Sequence, residues 1–161
     1  MIIRPIILQD RSWINKYLIK EWASTNIVSR EKIYDTKILP GFIALENNQY
    51  IGILTYRIER DECEIMTLNS IKEGIGIGSA LLKHLLIFIK QENIKRVWLI
   101  TTNNNWGAFR FYQKKGFVIK TIYPNAIEKS RQLKPQIPLV DSEGIPIRDE
   151  IELELKTQLI D

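Results

Sequence analysis

Glycine occupies every second position in the stretch EGIGIGSALL, at Gly74, Gly76 and Gly78, and an apolar run of helical character follows at once. Glycine carries an entropic cost that a helix start alone does not justify, so the spacing points to something that comes too close to the backbone for a side chain. A helix start presents free amide N–H groups, and bare residues around it let phosphate oxygens reach them. Two common phosphate loops are excluded. A Walker loop needs Gly-Lys-Ser/Thr, whereas Ser79 and Ala80 follow Gly78; a dinucleotide fingerprint needs glycine at the sixth place of GxGxxG, where Ser79 stands. A glycine-rich turn packed tightly before a helix is the competing reading. Upstream, the carboxylates Glu62 and Glu64 alternate and would share one face of a strand. Their plainer reading is a solvated strand start after a charged turn.

The elements that must position these residues follow from periodicity. IIRPII reads as a first strand, with Pro5 suggesting a sheet edge. Asp10 can cap a helix in which Trp13, Ile14, Tyr17, Leu18 and Trp22 recur at helical spacing. Residues 24–40 show no clean period and read as a loop with short helical pieces. FIALE, an ENNQ turn and YIGILTYRIE predict a hairpin. The order strand (62–68), helix (77–92), strand (96–101) is a βαβ unit, so its strands are expected to be parallel with a right-handed crossover. Ligands of such units sit beyond the carboxyl ends of the strands, which is where the glycines fall. A short helix over 105–115, a strand GFVIKTIY and an alternating EIELEL strand complete the chain.

With 161 residues the chain is read as one domain, 1–161, with ample length to bury a core. The formal charge is +4 and the isoelectric point near 9.1, but 19 acidic residues intersperse with 23 basic ones. That is no nucleic-acid stripe; it favours a small anion mildly. A single cysteine, Cys63, forbids an internal disulfide and fits a reducing cytoplasm. The N-terminus is too short and polar for a signal peptide, and no run approaches membrane-spanning length, so neither a membrane nor nucleic acid is an expected partner.

A second motif, TTNNNWGAFRFYQKKGF at 101–117, decides between the readings of the glycines. With it the chain resembles the GCN5-related N-acetyltransferase superfamily, in the form of a small bacterial acetyltransferase. That family's loop, Gln/Arg-x-x-Gly-x-Gly/Ala, is met by Glu73, Gly76 and Gly78. Its later signature, Asn-x-x-Ala-x-x-Phe/Leu-Tyr-x-x-x-Gly-Phe, is met by Asn105, Ala108, Phe111, Tyr112, Gly116 and Phe117. The resemblance runs from residue 2 to about 123. It departs at Glu73, a carboxylate where the family has an amide or a base; Glu73 is expected to point outward, with Lys72 supplying charge.

The resemblance implies a mixed α/β (α+β) fold: a mostly antiparallel, twisted sheet, a central splayed parallel pair, and helices on both faces. It implies acetyl transfer from acetyl-CoA directly to an amine of a small molecule or peptide, without a metal. The pyrophosphate would lie on the amides of Gly74, Ile75, Gly76, Ile77, Gly78 and Ser79. The pantetheine arm would pair with the backbone near Leu68 and Asn69, and the Leu68 N–H would face the oxyanion. Tyr112 falls at the family's general-acid place, where it would protonate the leaving thiolate; as a core aromatic it would do nothing chemical. Asn105 can cap its helix, contact CoA, or both. The base would come from the strand before the loop, about six residues before its last aliphatic position, which points to Glu62, with Glu64 or a water chain as alternatives. A CoA-binding regulatory module with the same fold and no turnover is the rival function.

Other residues carry less. His84 is expected on an outer helix face without a partner, and Cys63 as a small core residue. No cluster has metal-ligand spacing. Residues 124–147 form an insertion between the last two strands, with a helix capped by Asn125 and stopped by Pro135. Arg131 and Lys134 from it, with Trp22 and Arg30, could border an acceptor pocket or be surface residues; the insertion could equally pack on a second subunit, so the chain is expected to be a monomer or a homodimer.

Overall fold

The computed structural model of the chain describes residues 1–72 and 74–159. Its elements are β1 (Ile2–Pro5), α1 (Arg11–Trp22), β2 (Asn26–Ser29), β3 (Lys32–Asp35), β4 (Gly41–Glu46), β5 (Gln49–Glu59), β6 (Glu62–Ser70), α2 (Ile77–Gln91), β7 (Arg96–Thr102), α3 (Trp106–Lys114), β8 (Val118–Tyr123), α4 (Ala126–Leu133) and β9 (Glu150–Lys156). Seven strands form one mixed, mostly antiparallel sheet in the order β1-β4-β5-β6-β7-β9-β8, with β6 and β7 parallel as the βαβ reading requires. Pro5 lies on an edge strand, β1, which pairs with β4 alone. Contacts divide the chain into two compact units, Met1–Thr25 with Asp35–Val97 and Lys156–Asp161, and Asn26–Tyr34 with Trp98–Leu155.

In the first unit, β5 sorts its side chains by parity. Ile53 packs with Ile43 on Ile14 and Leu18 of α1. The alternate residues face α2, whose Ile77, Leu81, Leu85 and Ile89 recur every fourth position and are buried. Gly52 lets that helix approach: a Cβ there would lie 2.6 Å from Cγ2 of Ile77. His84 is not an idle surface residue as expected. Its ring meets Phe42 edge-on at 4.6 Å, because the broad apolar face of α2 extends to it.

Asp10 also departs from its expected role. It makes no side-chain cap to α1; it is fully buried and accepts from Arg4 Nη1 and Nη2 (2.7 and 2.8 Å), the Ile7 N–H (2.8 Å) and the Tyr50 hydroxyl (3.0 Å). The hydrogen bonds from Arg4 hold its carboxyl below the usual carboxylate range. A folded-state value below the unfolded one stabilises the fold at pH above the unfolded value, and that stabilisation is lost as pH falls through the folded value. Asp10→Ala is therefore expected to cost about 2–4 kcal/mol at neutral pH by leaving Arg4 and Tyr50 unpaired. The melting-temperature gap to the parent should narrow below about pH 4, near the unfolded carboxylate value; a gap constant from pH 3 to 7 would contradict this.

In the second unit, residues 26–35 form the β2–β3 hairpin, not a loop with helical pieces. Its turn residues Arg30 and Glu31 both have positive φ (48° and 63°), a conformation in which asparagine and glycine usually announce the turn. Residues 124–149 leave β8 and return to β9. Asn103, at the end of β7, fastens the return: its Oδ1 accepts from the N–H of Arg148 and Asp149 and its Nδ2 donates to Pro146 O. Asn125 precedes α4 in the left-handed region, again without a side-chain cap.

Candidate functional site

Gly76 opens α2 at φ 85° and Gly74 precedes it at φ 77°. A Cβ on either would meet nothing within 4 Å, so tight packing does not explain these glycines. That reading belongs to Gly52. Left-handed backbone and open space explain them instead. The first bond of the helix runs from Ala80 N to Gly76 O (3.0 Å) and no side chain caps the start. By helix geometry the amides of Ile77, Gly78 and Ser79 lack intrahelical acceptors, at the end where the dipole favours anions. Ile75 is largely exposed and so is Lys72. Glu73 lies outside the described residues.

β6 leads to this loop, and two features of its pairing with β5 set the chemistry. Ile71 N donates to Ile51 O and Tyr56 N to Pro40 O, so the odd residues of β5 bond to β6 and the even ones to β4. Bonded and non-bonded pairs alternate in an antiparallel ladder. Leu68, opposite Leu54, is in a non-bonded pair, and its N–H points to the edge of β6 away from β5. Second, the register shifts between Thr55 and Tyr56: Thr55 faces Thr67 and Tyr56 faces Ile65, which leaves Met66 as an extra residue. The bulge switches parity. Glu62 and Glu64, opposite Glu59 and Arg57, thereby share the face of Thr67 and Asn69, which is the face of Ile53 and α1.

Both carboxylates are ion-paired. Glu64, buried, accepts from Arg57 Nε at 2.6 Å; Glu62, half-exposed, accepts from Arg96 Nη1 at 2.8 Å. From Leu68, Glu62 is six residues away, about 20 Å at strand rise, and Glu64 about 13 Å. A base must come within about 3 Å of the proton it takes, or one water further. At these separations neither Glu62 nor Glu64 reaches a reaction at Leu68 directly, and either would act only through a chain of waters.

Tyr112 lies in the second unit. It is buried in α3, edge-on to Phe111 (5.1 Å) and Phe117 (5.2 Å), and burial alone raises its pKa. The motif around it is a helix stop. Phe117 N bonds to Tyr112 O and Gly116 N to Gln113 O, with Gly116 at φ 87°: a Schellman motif whose apolar contact is the Tyr112–Phe117 pair. Asn105 caps the other end, accepting from Ala108 N at 3.1 Å. Much of the signature is thus explained by holding one tyrosine in place.

The residues assigned to an acceptor pocket lie on α1, on the β2–β3 turn and on α4. Trp22 ends α1 and is 40% exposed. Arg30 stacks its guanidinium on Trp98 at 5.2 Å. Arg131 donates to the carbonyls of Ile137, Pro138 and Ile147 and so clasps the excursion. Cys63 is buried, which pushes its thiol up to about 12. Among the described residues no group of three His, Cys, Asp or Glu could hold a metal, and no helix is long and apolar enough to cross a membrane.

The loop, the strand before it and the capped tyrosine helix fall within one stretch that the model of the acetyltransferase (GNAT) family matches, residues 10–117. The chain belongs to the acetyltransferase (GNAT) family. Two relatives in Bacillus subtilis (strain 168), the uncharacterized proteins YdhI and YxbD, are 41% and 40% identical to it over 152 residues, 94% of this chain and 95% and 96% of theirs. A GNAT family acetyltransferase from Elizabethkingia anophelis, solved with acetyl-CoA bound, shares the fold with a TM-score of 0.67 at 23% identity, covering 96% of this chain and 97% of that one. Membership makes the chain an acyltransferase of the GNAT type, an acetyl-CoA-dependent N-acetyltransferase. The match ends at Phe117, the last residue of the helix stop, and leaves the 124–149 excursion outside it.

Proposed function

We propose that this GNAT enzyme acetylates a primary amine, of a small molecule or a peptide N-terminus, with these residues in these roles. The observation that carries the reading is the bare, uncapped start of α2 directly after a strand whose Leu68 N–H points away from its hairpin partner. The amides of residues 76–79 would hold the pyrophosphate, with Lys72 adding charge. The Leu68 N–H would stabilise the tetrahedral oxyanion. The amine nitrogen attacks the thioester carbon, the C–S bond breaks, and the thiolate takes the Tyr112 proton, which water restores. Acetylation takes two protons from the ammonium. The first leaves before attack, since an alkylammonium sits near pKa 10, along a chain of waters that would end at Glu64; the second leaves as the amide forms and passes through water back to Tyr112.

Calorimetric titration with acetyl-CoA tests the loop: one-to-one binding is expected, and absence of binding would remove the proposal. Glu64→Gln tests the proton route. Turnover at pH 7 should fall by roughly 10- to 100-fold and recover as pH approaches the amine's own pKa, with acetyl-CoA affinity unchanged. A uniform loss at all pH values would instead mark Glu64 as a partner for Arg57 and nothing more.

A further inference from the structure

β8 closes one side of the seven-stranded sheet with β9 as its neighbour, and its outer edge meets no other strand among the described residues. Part of a strand's N–H and C=O groups point to such an edge, where they form a template for further pairing. The opposite edge strand, β1, is blunted: it has four residues and carries Arg4 and Pro5. β8 has six residues, no proline or glycine, and one charge, Lys120. Its aliphatic side chains stand in the open, with Val118 60%, Ile119 46% and Ile122 52% exposed. Single exposed aliphatics are ordinary, but three on one short open edge mark a surface that receives a partner.

The faces of β8 are set by β9. Val118, Thr121 and Tyr123 stand opposite Glu154, Glu152 and Glu150, whereas Ile119 and Ile122 stand opposite Leu153 and Ile151. The register shift between Ile119 and Thr121 leaves Lys120 as the extra residue, and its ammonium lies 3.8 Å from Oε1 of Glu154, on the carboxylate side. The Tyr123 hydroxyl donates to Glu152 on that same side. One face of β8 thus carries Val118, Lys120, Thr121 and Tyr123, and the other Ile119 and Ile122. Read from either end, the strand repeats one order: an apolar or aromatic residue, an isoleucine, and a polar residue at the doubled centre.

We infer that β8 pairs antiparallel with β8 of a second copy of this chain, about a two-fold axis between Lys120 and Thr121. In that register Ile119 faces Ile122 of the second copy, Val118 faces its Tyr123, and Lys120 faces its Thr121. The two members of every pair lie on one face, as a ladder requires, and the contact is isologous. The doubled centre selects this occupant. A regular strand must leave one residue of β8 unopposed, as β9 does at Lys120, whereas a second copy brings the same irregularity to the same place. Charge agrees, since each lysine faces a threonine and keeps Glu154 of its own sheet beside it.

Sedimentation equilibrium of the full chain tests this. The parent should approach twice 18.9 kDa as its concentration rises to about 100 μM, the range in which a micromolar contact fills. Ile119→Lys and Ile122→Lys should each hold the mass at 18.9 kDa with the melting temperature unchanged, because both side chains are half-exposed. Cysteine cross-linking reads the register independently. In the double variant Ile119→Cys with Ile122→Cys, the two thiols of one strand lie about 10 Å apart, too far to bridge, while each faces its counterpart in the second copy. Mild oxidation should give a covalent dimer from the double variant and from a mixture of the two single variants, and none from either single variant alone. A parent that stays at 18.9 kDa at every concentration overturns the inference and leaves the edge to a foreign strand or to solvent. A dimer that survives both lysine variants, or cross-linking by a single-cysteine variant alone, overturns it as well.

Discussion

Replacing Tyr112 by phenylalanine is expected to lower turnover by about 100-fold, the scale of general acid catalysis, with acetyl-CoA affinity and melting temperature nearly unmoved. The ring packs edge-on between Phe111 and Phe117, and the Schellman stop at Gly116 fixes the backbone, so the substitution keeps every apolar contact and removes one hydroxyl. Burial raises the phenol's pKa, which keeps it protonated, and so able to donate, throughout the physiological range. A purely structural Tyr112 makes the opposite forecast: phenylalanine is fully active, and only truncation to alanine hurts, through loss of about 3–5 kcal/mol of packing. Kinetics of Tyr112→Phe and Tyr112→Ala, with their melting curves, separate the two.

The second large effect is expected at Gly76. Its φ of 85° disfavours any Cβ, by about 1–2 kcal/mol for a left-handed residue, so Gly76→Val mixes strain with occlusion. Gly76→Asn separates them, because asparagine tolerates that backbone region yet puts a side chain into the open space before α2. Acetyl-CoA affinity should fall 100-fold or more in both, while only the valine variant melts measurably lower. Full affinity in Gly76→Asn would show that nothing approaches this backbone closely.

The parts of this molecule legible in the sequence are those where local chemistry and tertiary context agree. The Asn47–Asn48 turn, both residues at positive φ, announces the β4–β5 hairpin, and the apolar period of 77–91 announces α2. The Arg30–Glu31 turn adopts the same backbone region with residues that give no warning, so β2 and β3 read as loop. Asp10 looked like a cap because aspartate before a helix usually is one; Arg4 on the neighbouring strand β1 and Tyr50, distant in sequence, claimed it. At the candidate site, the glycine loop and the tyrosine signature were legible as motifs, and they fold into an uncapped helix start and a capped, stopped helix. The Met66 bulge was not, since a one-residue slip leaves no mark in an apolar strand, yet it decides which face Glu62 and Glu64 occupy. Arg131 was unreadable for the converse reason: an arginine in a long loop looks the same whether it waits for a substrate or clasps its own backbone.

Release of free thiol from acetyl-CoA in the presence of primary amines is the most direct test of the central claim. Release should be amine-dependent, saturable, and matched one-to-one by acetylated amine, well above the slow hydrolysis seen without amine. Tight acetyl-CoA binding with no acceleration by any primary amine, peptide N-termini included, would contradict it and leave a CoA-binding module in place of an enzyme.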